Sequence, residues 1–280
     1  MTTTDGRTVS WVARRHEGAH VVRHRYAYTL ASVAGVFAVW WAVTAAGVWS
    51  ELILPSPAKV WDAFIQSVTQ HNGQKGVSGY YLWEHLWASM WRILKGVLWA
   101  TIVGVPLGLA LGVWQKAELL LGPIVSFLRS LPPLGYFSLL IIWFGIDDSS
   151  KVWLLFIAAF APIALAVANG VTSTRIERLN ASLVLGATNR QVVQYVVIPS
   201  VLPDFLTGLR IAVGFAWTTI VAAETSNGIP GIGGLAWATK KELRSDIAIL
   251  CIIVIGITAV LLDAILRRIE RRYASWHGRA

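Results

Sequence analysis

Leu179 to Pro203 reads LNASLVLGATNRQVVQYVVIPSVLP. It lies between two long apolar stretches, yet it is polar and punctuated. Leu179, Leu183 and Leu185 fall near one face of a short helix. Gly186 is expected to end or kink that helix, because glycine adopts backbone angles that strain other residues. Ile198-Pro199 and Leu202-Pro203 are expected to stop the following helix and set the start of the next apolar run. The stretch therefore predicts a helix–turn–helix elbow on a membrane surface.

The flanking sequence supplies the membrane. The chain is 55% hydrophobic with 14% charged residues and 15 tryptophans, far from a soluble average. A bilayer core takes about 20 apolar residues in helical form. Six segments meet that need: 26–49, 86–114, 122–146, 152–173, 205–223 and 247–266. The expected architecture is an all-α polytopic membrane protein with six transmembrane helices. A polar tail, 1–25, precedes a membrane domain, 26–268, and a second tail, 269–280, follows. The first apolar run is too long for a cleavable signal core and no Ala-x-Ala site follows it.

The net charge is +9. No Lys/Arg run is interleaved with aromatics, so nucleic acid is not an expected partner; the cations instead cluster at the ends of apolar runs. With the N-terminus inside, inner segments hold 14 Lys/Arg and outer ones 6, which places both termini and the 175–203 loop in the cytoplasm. Cys251 is the single cysteine and reads as a small buried hydrophobe, so no intrachain disulfide or cysteine metal cluster forms. His16, His20 and His24 share a helical spacing, but the tail reads as solvated and headgroup-facing rather than metal-binding.

Within 52–70, Pro57 suits a first helical turn capped by Ser56. Val60, Trp61, Phe64, Ile65 and Val68 form an apolar stripe too short to span, so an outer interfacial helix is expected. Trp83, Trp87 and Trp91 read as an interfacial aromatic belt. Gly104, Gly108 and Gly112 let another backbone approach, and Pro106 is expected to bend their helix. Pro132 and Pro133 break the third span, which requires protein or a watery cavity beside the freed carbonyls. Arg92 and Lys95 are expected to snorkel to headgroups. Arg210 is expected to snorkel or pair with Asp204. Glu224 is expected to be hydrated at the outer end of its span, and His85 has no obvious partner. The glycine-rich run 227–234 lacks Gly-Lys-Ser/Thr and follows no strand, so it reads as a flexible outer re-entrant loop or gate rather than a nucleotide loop. No catalytic constellation is present, and the chain is not expected to be an enzyme.

The elbow resembles the "EAA" loop of permease subunits in bacterial ABC importers. Asn180-Ala181-Ser182 stands at the Glu-Ala-Ala position, Gly186 keeps the family spacing, and Ile198-Pro199 stands for Leu-Pro. The Leu-Pro-Ser-Pro start of the 52–70 segment is similar to the family as well. The stretch 132–151, PPLGYFSLLIIWFGIDDSSK, resembles the sulfonate/nitrate/taurine branch. So do Leu206 to Arg210, Trp217 to Glu224, and Trp276-His277-Gly278, with taurine permeases the most similar.

The resemblance implies a type I ABC importer permease fold in the bacterial inner membrane. It implies three partners besides lipid: a second copy of the chain, a cytoplasmic ATPase dimer and an outer solute-binding protein. ATP and Mg would be held by the ATPase, with no cofactor on this chain. Asn180, Ala181, Ser182, Gly186, Ala187, Asn189 and Arg190 would couple to the ATPase. Pro132, Pro133, Trp143, Trp217, Thr218 and Glu224 are the candidates for the translocation path, with Glu224 alternatively touching the docked binding protein. The expected solute is a small sulfonate, taurine first. The alternatives are nitrate, alkanesulfonate or a vitamin precursor, or a membrane scaffold with no solute path.

Overall fold

The computed structural model describes residues 25–71 and 73–274. The three tail histidines and the 276–278 motif lie outside them. The chain divides into two units, Met1–Val60 and Trp61–Ala280. In the first, α1 (Arg25–Ala45) is apolar, and none of its residues from Ala27 to Ala45 is buried. Trp40 donates from Nε1 to the Pro55 carbonyl at 3.1 Å, tying the chain after α1 back to it. Pro57 opens α2 (Pro57–Val68), and the Ser56 hydroxyl accepts from the Lys59 N–H at 3.4 Å, as the capping pattern predicts.

In the second unit a two-residue hairpin, β1 (Gln70–His71) and β2 (Gln74–Lys75), precedes the helices. These are α3 (Leu82–Val113), α4 (Gln115–Ser130), α5 (Pro133–Phe144), α6 (Asp148–Thr172), α7 (Ile176–Val184), α8 (Asn189–Val192), α9 (Ile198–Asn227), α10 (Ile232–Glu242) and α11 (Ser245–Tyr273). Among the described residues, α1, α3, α6, the rod made by α8 and α9, and α11 are long and apolar enough to cross a membrane. The α4–α5 pair adds a sixth candidate, bent by 98°. Pro132 and Pro133 sit at that bend, so the expected break is observed.

The centre is a pair of parallel helices. A Cβ placed on Gly96 would stand 2.5 Å from the Leu155 Cβ, one on Gly108 2.4 Å from the Ala164 carbonyl oxygen, and one on Gly112 2.4 Å from the Val171 Cβ. The contacts advance together along α3 and α6, so the two run in the same direction, backbone against backbone. Small residues at four-residue spacing permit this approach where lipid supplies no hydrophobic drive. Helix α9 packs antiparallel on α6: a Cβ on Gly208 would meet the Ala166 Cβ at 2.3 Å, and one on Gly170 the Asp204 Cβ at 3.0 Å. Leu111, Val125, Ala161, Ala164 and Ala168 close one core cluster, and Val167, Val197 and Val201 another.

The two prolines after the elbow do not stop a helix. Residues 189–226 form one 38-residue rod that contains Pro199 and Pro203. A π-helical turn, Val193–Val197, precedes α9, and Pro199 falls in the first turn of α9. A proline N–H is not needed at such a register change, so the missing donor is tolerated. The rod thus starts far ahead of the expected 205, and α11 continues past 266 to Tyr273.

Candidate functional site

One end of the helix bundle carries the elbow. Helix α7 ends at Val184, and Gly186 adopts φ +85°, a left-handed turn that glycine takes without Cβ strain. Thr188 restarts the chain as α8: its hydroxyl accepts from the Gln191 N–H, and the Gln191 carboxamide accepts from the Thr188 N–H at 2.8 Å. The Thr-x-x-Gln pattern of the sequence is the signal for this capping box. Asn180, Ala181, Gly186, Asn189 and Arg190 are exposed, while Ser182 and Ala187 are half-buried. Ser182 donates to the Leu179 carbonyl at 2.7 Å. Leu179 packs inward on the Val167–Val197–Val201 cluster. Val184 and Leu185 are 87% and 88% exposed, so the elbow shows an apolar tip rather than a buried face. Between it and the ends of α3 and α6 lies a groove of about 1250 Å³, to which Asn189 and Arg190 contribute.

The other end is closed by a polar clasp. Glu224, fully buried on α9, accepts from Ser89 Oγ at 2.7 and 2.9 Å, from Arg92 Nη1 at 2.7 Å and from the Gly233 N–H at 2.9 Å. Arg92 also donates to the Pro230 carbonyl at 2.9 Å and to Asp148 Oδ1 at 2.7 Å. Ser89 Oγ accepts from the Ile232 N–H, and His85 Nδ1 from the Gly231 N–H, each at 3.0 Å. Of the amides at the start of α10, that of Gly233 points at the carboxylate, the favourable sense of a helix dipole, and those of Gly231 and Ile232 at His85 and Ser89.

These contacts correct four expectations. Glu224 is not hydrated. Arg92 does not snorkel, because its α3 position faces α6 and α9 rather than lipid. His85 has a backbone partner. The 227–234 run is pinned rather than loose: a Cβ on Gly231 would lie 2.6 Å from the Glu224 carboxyl carbon, and one on Gly233 2.2 Å from the Val221 carbonyl oxygen. Its glycines make room for the clasp. The nearby Arg244 donates to Asp246 and, at 3.0 Å, to Gln66 Oε1; the Asp246 bonds hold its guanidinium above the ordinary arginine value.

The path candidates do not share one surface. Trp217 is buried and donates to the Ile255 carbonyl at 3.3 Å, and Glu224 lies in the clasp. Pro133 is buried, whereas Pro132, Trp143 and Thr218 are exposed. Trp83, Trp87 and Trp91 are exposed together at the start of α3, with the last two stacked at 6.1 Å. Arg210 pairs with Glu270 at 2.7 Å and reaches Asp263 at 3.7 Å, not Asp204. Asp204 instead lines a cavity of about 450 Å³ between α4, α6 and α9, with Arg129, Asn169 and Thr207. These four residues come from three helices, so spacing along the sequence does not bring them together.

Residues 104–275 match the family model "Binding-protein-dependent transport system inner membrane component". The chain is 37% identical to the taurine transport system permease protein TauC of Escherichia coli (strain K12), over 89% of this chain and 90% of that one. It is 32% identical to the putative aliphatic sulfonates transport permease protein SsuC of the same organism, over 87% and 89%. An inward-facing structure of the MetNI methionine ABC transporter superposes with TM-score 0.61 at 20% identity, covering 69% of this chain and 97% of that one; this likeness shows a shared permease fold. The chain belongs to the family of binding-protein-dependent transport system inner membrane components.

Proposed function

We propose that this chain is the membrane permease of an ATP-driven importer for a small sulfonate, taurine first. The observation that carries the mechanism is the exposed Val184–Leu185 tip, held out by the left-handed turn at Gly186. An apolar tip on an otherwise polar elbow is a surface for a protein partner. The partner that fits is a cytoplasmic ATPase, which would hold ATP and Mg. The Lys/Arg asymmetry supports placing this end, and both termini, inside. The clasp end then faces the outer solute-binding protein.

Two copies of the chain about a two-fold axis would hold the path between them. Closure of the ATPase pair displaces the elbows. Helices α6 and α9 are packed backbone to backbone, so they transmit that displacement as a rigid-body rocking of the bundle. Similarity to TauC over nearly the whole chain supports taurine as solute. Alkanesulfonates are the second reading, supported by the similarity to SsuC.

The test is uptake of labelled taurine into proteoliposomes holding the permease, its ATPase and its binding protein. ATP-dependent uptake is expected. Uptake of another solute but not taurine would retire the taurine assignment. Gly186→Trp is expected to insert normally and to uncouple ATP hydrolysis from uptake; unchanged uptake would remove the elbow from the mechanism.

A further inference from the structure

We propose that the cavity between α4, α6 and α9 is a transit site for a zwitterion, with Arg129 taking the sulfonate and Asp204 the ammonium. This rests on the reading of the chain as a sulfonate permease and narrows it to aminosulfonates. The cavity volume of about 450 Å³ lies within the roughly 300–1,000 Å³ of small-molecule sites. Its polar groups come from three helices: Arg129 on α4, Asn169 on α6, and Asp204 with Thr207 on α9. Ile211 and Phe215 continue its wall.

Among the described residues neither Arg129 nor Asp204 belongs to a salt bridge. The cation one helical turn and a half beyond Asp204, Arg210, is committed to Glu270 and Asp263. Room for the carboxylate is made by Gly170, where a Cβ would stand 3.1 Å from Asp204 Oδ2. Arg129 lies in the bent α4–α5 pair and Asp204 in the 189–226 rod, both long and apolar enough to cross a membrane, and ionisable groups in such helices mark solute pathways. A cation and an anion on one cavity, not neutralising each other, suit a solute that carries both. An alkanesulfonate would gain at Arg129 but be repelled at Asp204, and a plain amine would meet the reverse. Taurine, with its sulfonate and ammonium joined by an ethylene unit, meets both favourably, at an exposed Arg129 and a half-buried Asp204. Asn169 and Thr207 add neutral hydrogen-bonding groups beside the pair.

The experiment uses the full transporter in proteoliposomes, with labelled taurine at saturating binding protein. Asp204→Asn and Arg129→Gln are each expected to lower uptake about tenfold, the scale of removing one partner from a charged contact. The exchange R129D/D204R is expected to recover at least about threefold over either single variant, since a zwitterion can reverse its direction. Arg129→Lys, which keeps the charge, is expected to stay within about threefold of wild type and serves where Arg129→Gln fails to assemble. Unchanged uptake in both single variants, or loss without recovery in the exchange, overturns the site. A wild-type complex that takes up no taurine would instead retire the sulfonate reading, and this site with it.

Discussion

The two ends of the bundle solve opposite problems. At the Glu224 end the Glu224 carboxylate and the Arg92 guanidinium turn inward, and with the Ser89 hydroxyl and backbone amides they satisfy one another inside the fold, while Asp148 reaches Arg92 from the exposed side. At the Gly186 end the chain turns apolar side chains outward, with Val184 and Leu185 almost fully exposed. The clasp meets its charges internally, leaving His85 Nε2 as its buried polar atom without a partner among the described residues, while an exposed apolar tip is a surface for a partner. On the proposed reading the first end serves rigidity and the second transmission. Breaking each should give different signatures: loss of stability at one, loss of coupling at the other.

The largest effect is expected at Glu224. Replacing it by alanine leaves Arg92 buried without one of its two anions, and deletion of one partner of a buried pair costs about 3–5 kcal/mol. Thermal unfolding of the detergent-purified chain should show a large drop in midpoint. A small drop would mean that water reaches the clasp and that the contrast between the ends is false. The helices joining the ends come next. Gly108→Ala places a methyl against the Ala164 carbonyl and the Val167 side chain, and overpacking of this kind costs about 1–3 kcal/mol. The same unfolding measurement reads it, and a neutral outcome would show that α3 and α6 slide freely.

At the other end, Leu185→Asp should leave the unfolding midpoint in place, because the side chain touches solvent. It should reduce ATP-driven uptake by at least about tenfold, equivalent to about 1.4 kcal/mol of lost docking. A fall in stability without a fall in uptake would reverse the assignment of the two ends.

Much of this contrast is legible in the sequence, though unevenly. Gly186, the Pro132–Pro133 break and the α3 glycine ladder were readable because each is a local backbone statement: a turn, a missing donor, a missing Cβ. The clasp was not. Ser89, Arg92, Asp148 and Glu224 come from three helices and meet only when those helices pack, so spacing along the chain carries no trace of their pairing. Arg92 read as a snorkelling residue because its distance from the helix start fits that role equally well. Arg210 was given Asp204 by proximity in sequence, whereas the antiparallel approach of α11 presents Glu270 instead. Pro199 is no boundary because a proline signals one only when the hydrogen-bond register on both sides is regular, and the π-helical turn before it removes that condition; Pro203 lies inside α9 without ending it.

The smallest effect sharpens the comparison most. Arg267 and Asp263 form an ion pair at 2.7 Å, the same distance as Arg92 and Glu224. Their chemistry is the same, and their surroundings differ: 56% and 43% of these side chains remain accessible against 5% and none in the clasp. An accessible pair one helical turn apart contributes about 0.3–0.5 kcal/mol and is screened by salt. Arg267→Ala should therefore shift the unfolding midpoint barely, and raising ionic strength should erase the remaining difference. Geometry alone would make the two pairs equal, and burial alone would separate them roughly tenfold in free energy. A shift for Arg267→Ala as large as that for Glu224→Ala would show that the elbow end is as internally bound as the clasp, and that transmission must be sought elsewhere in the bundle.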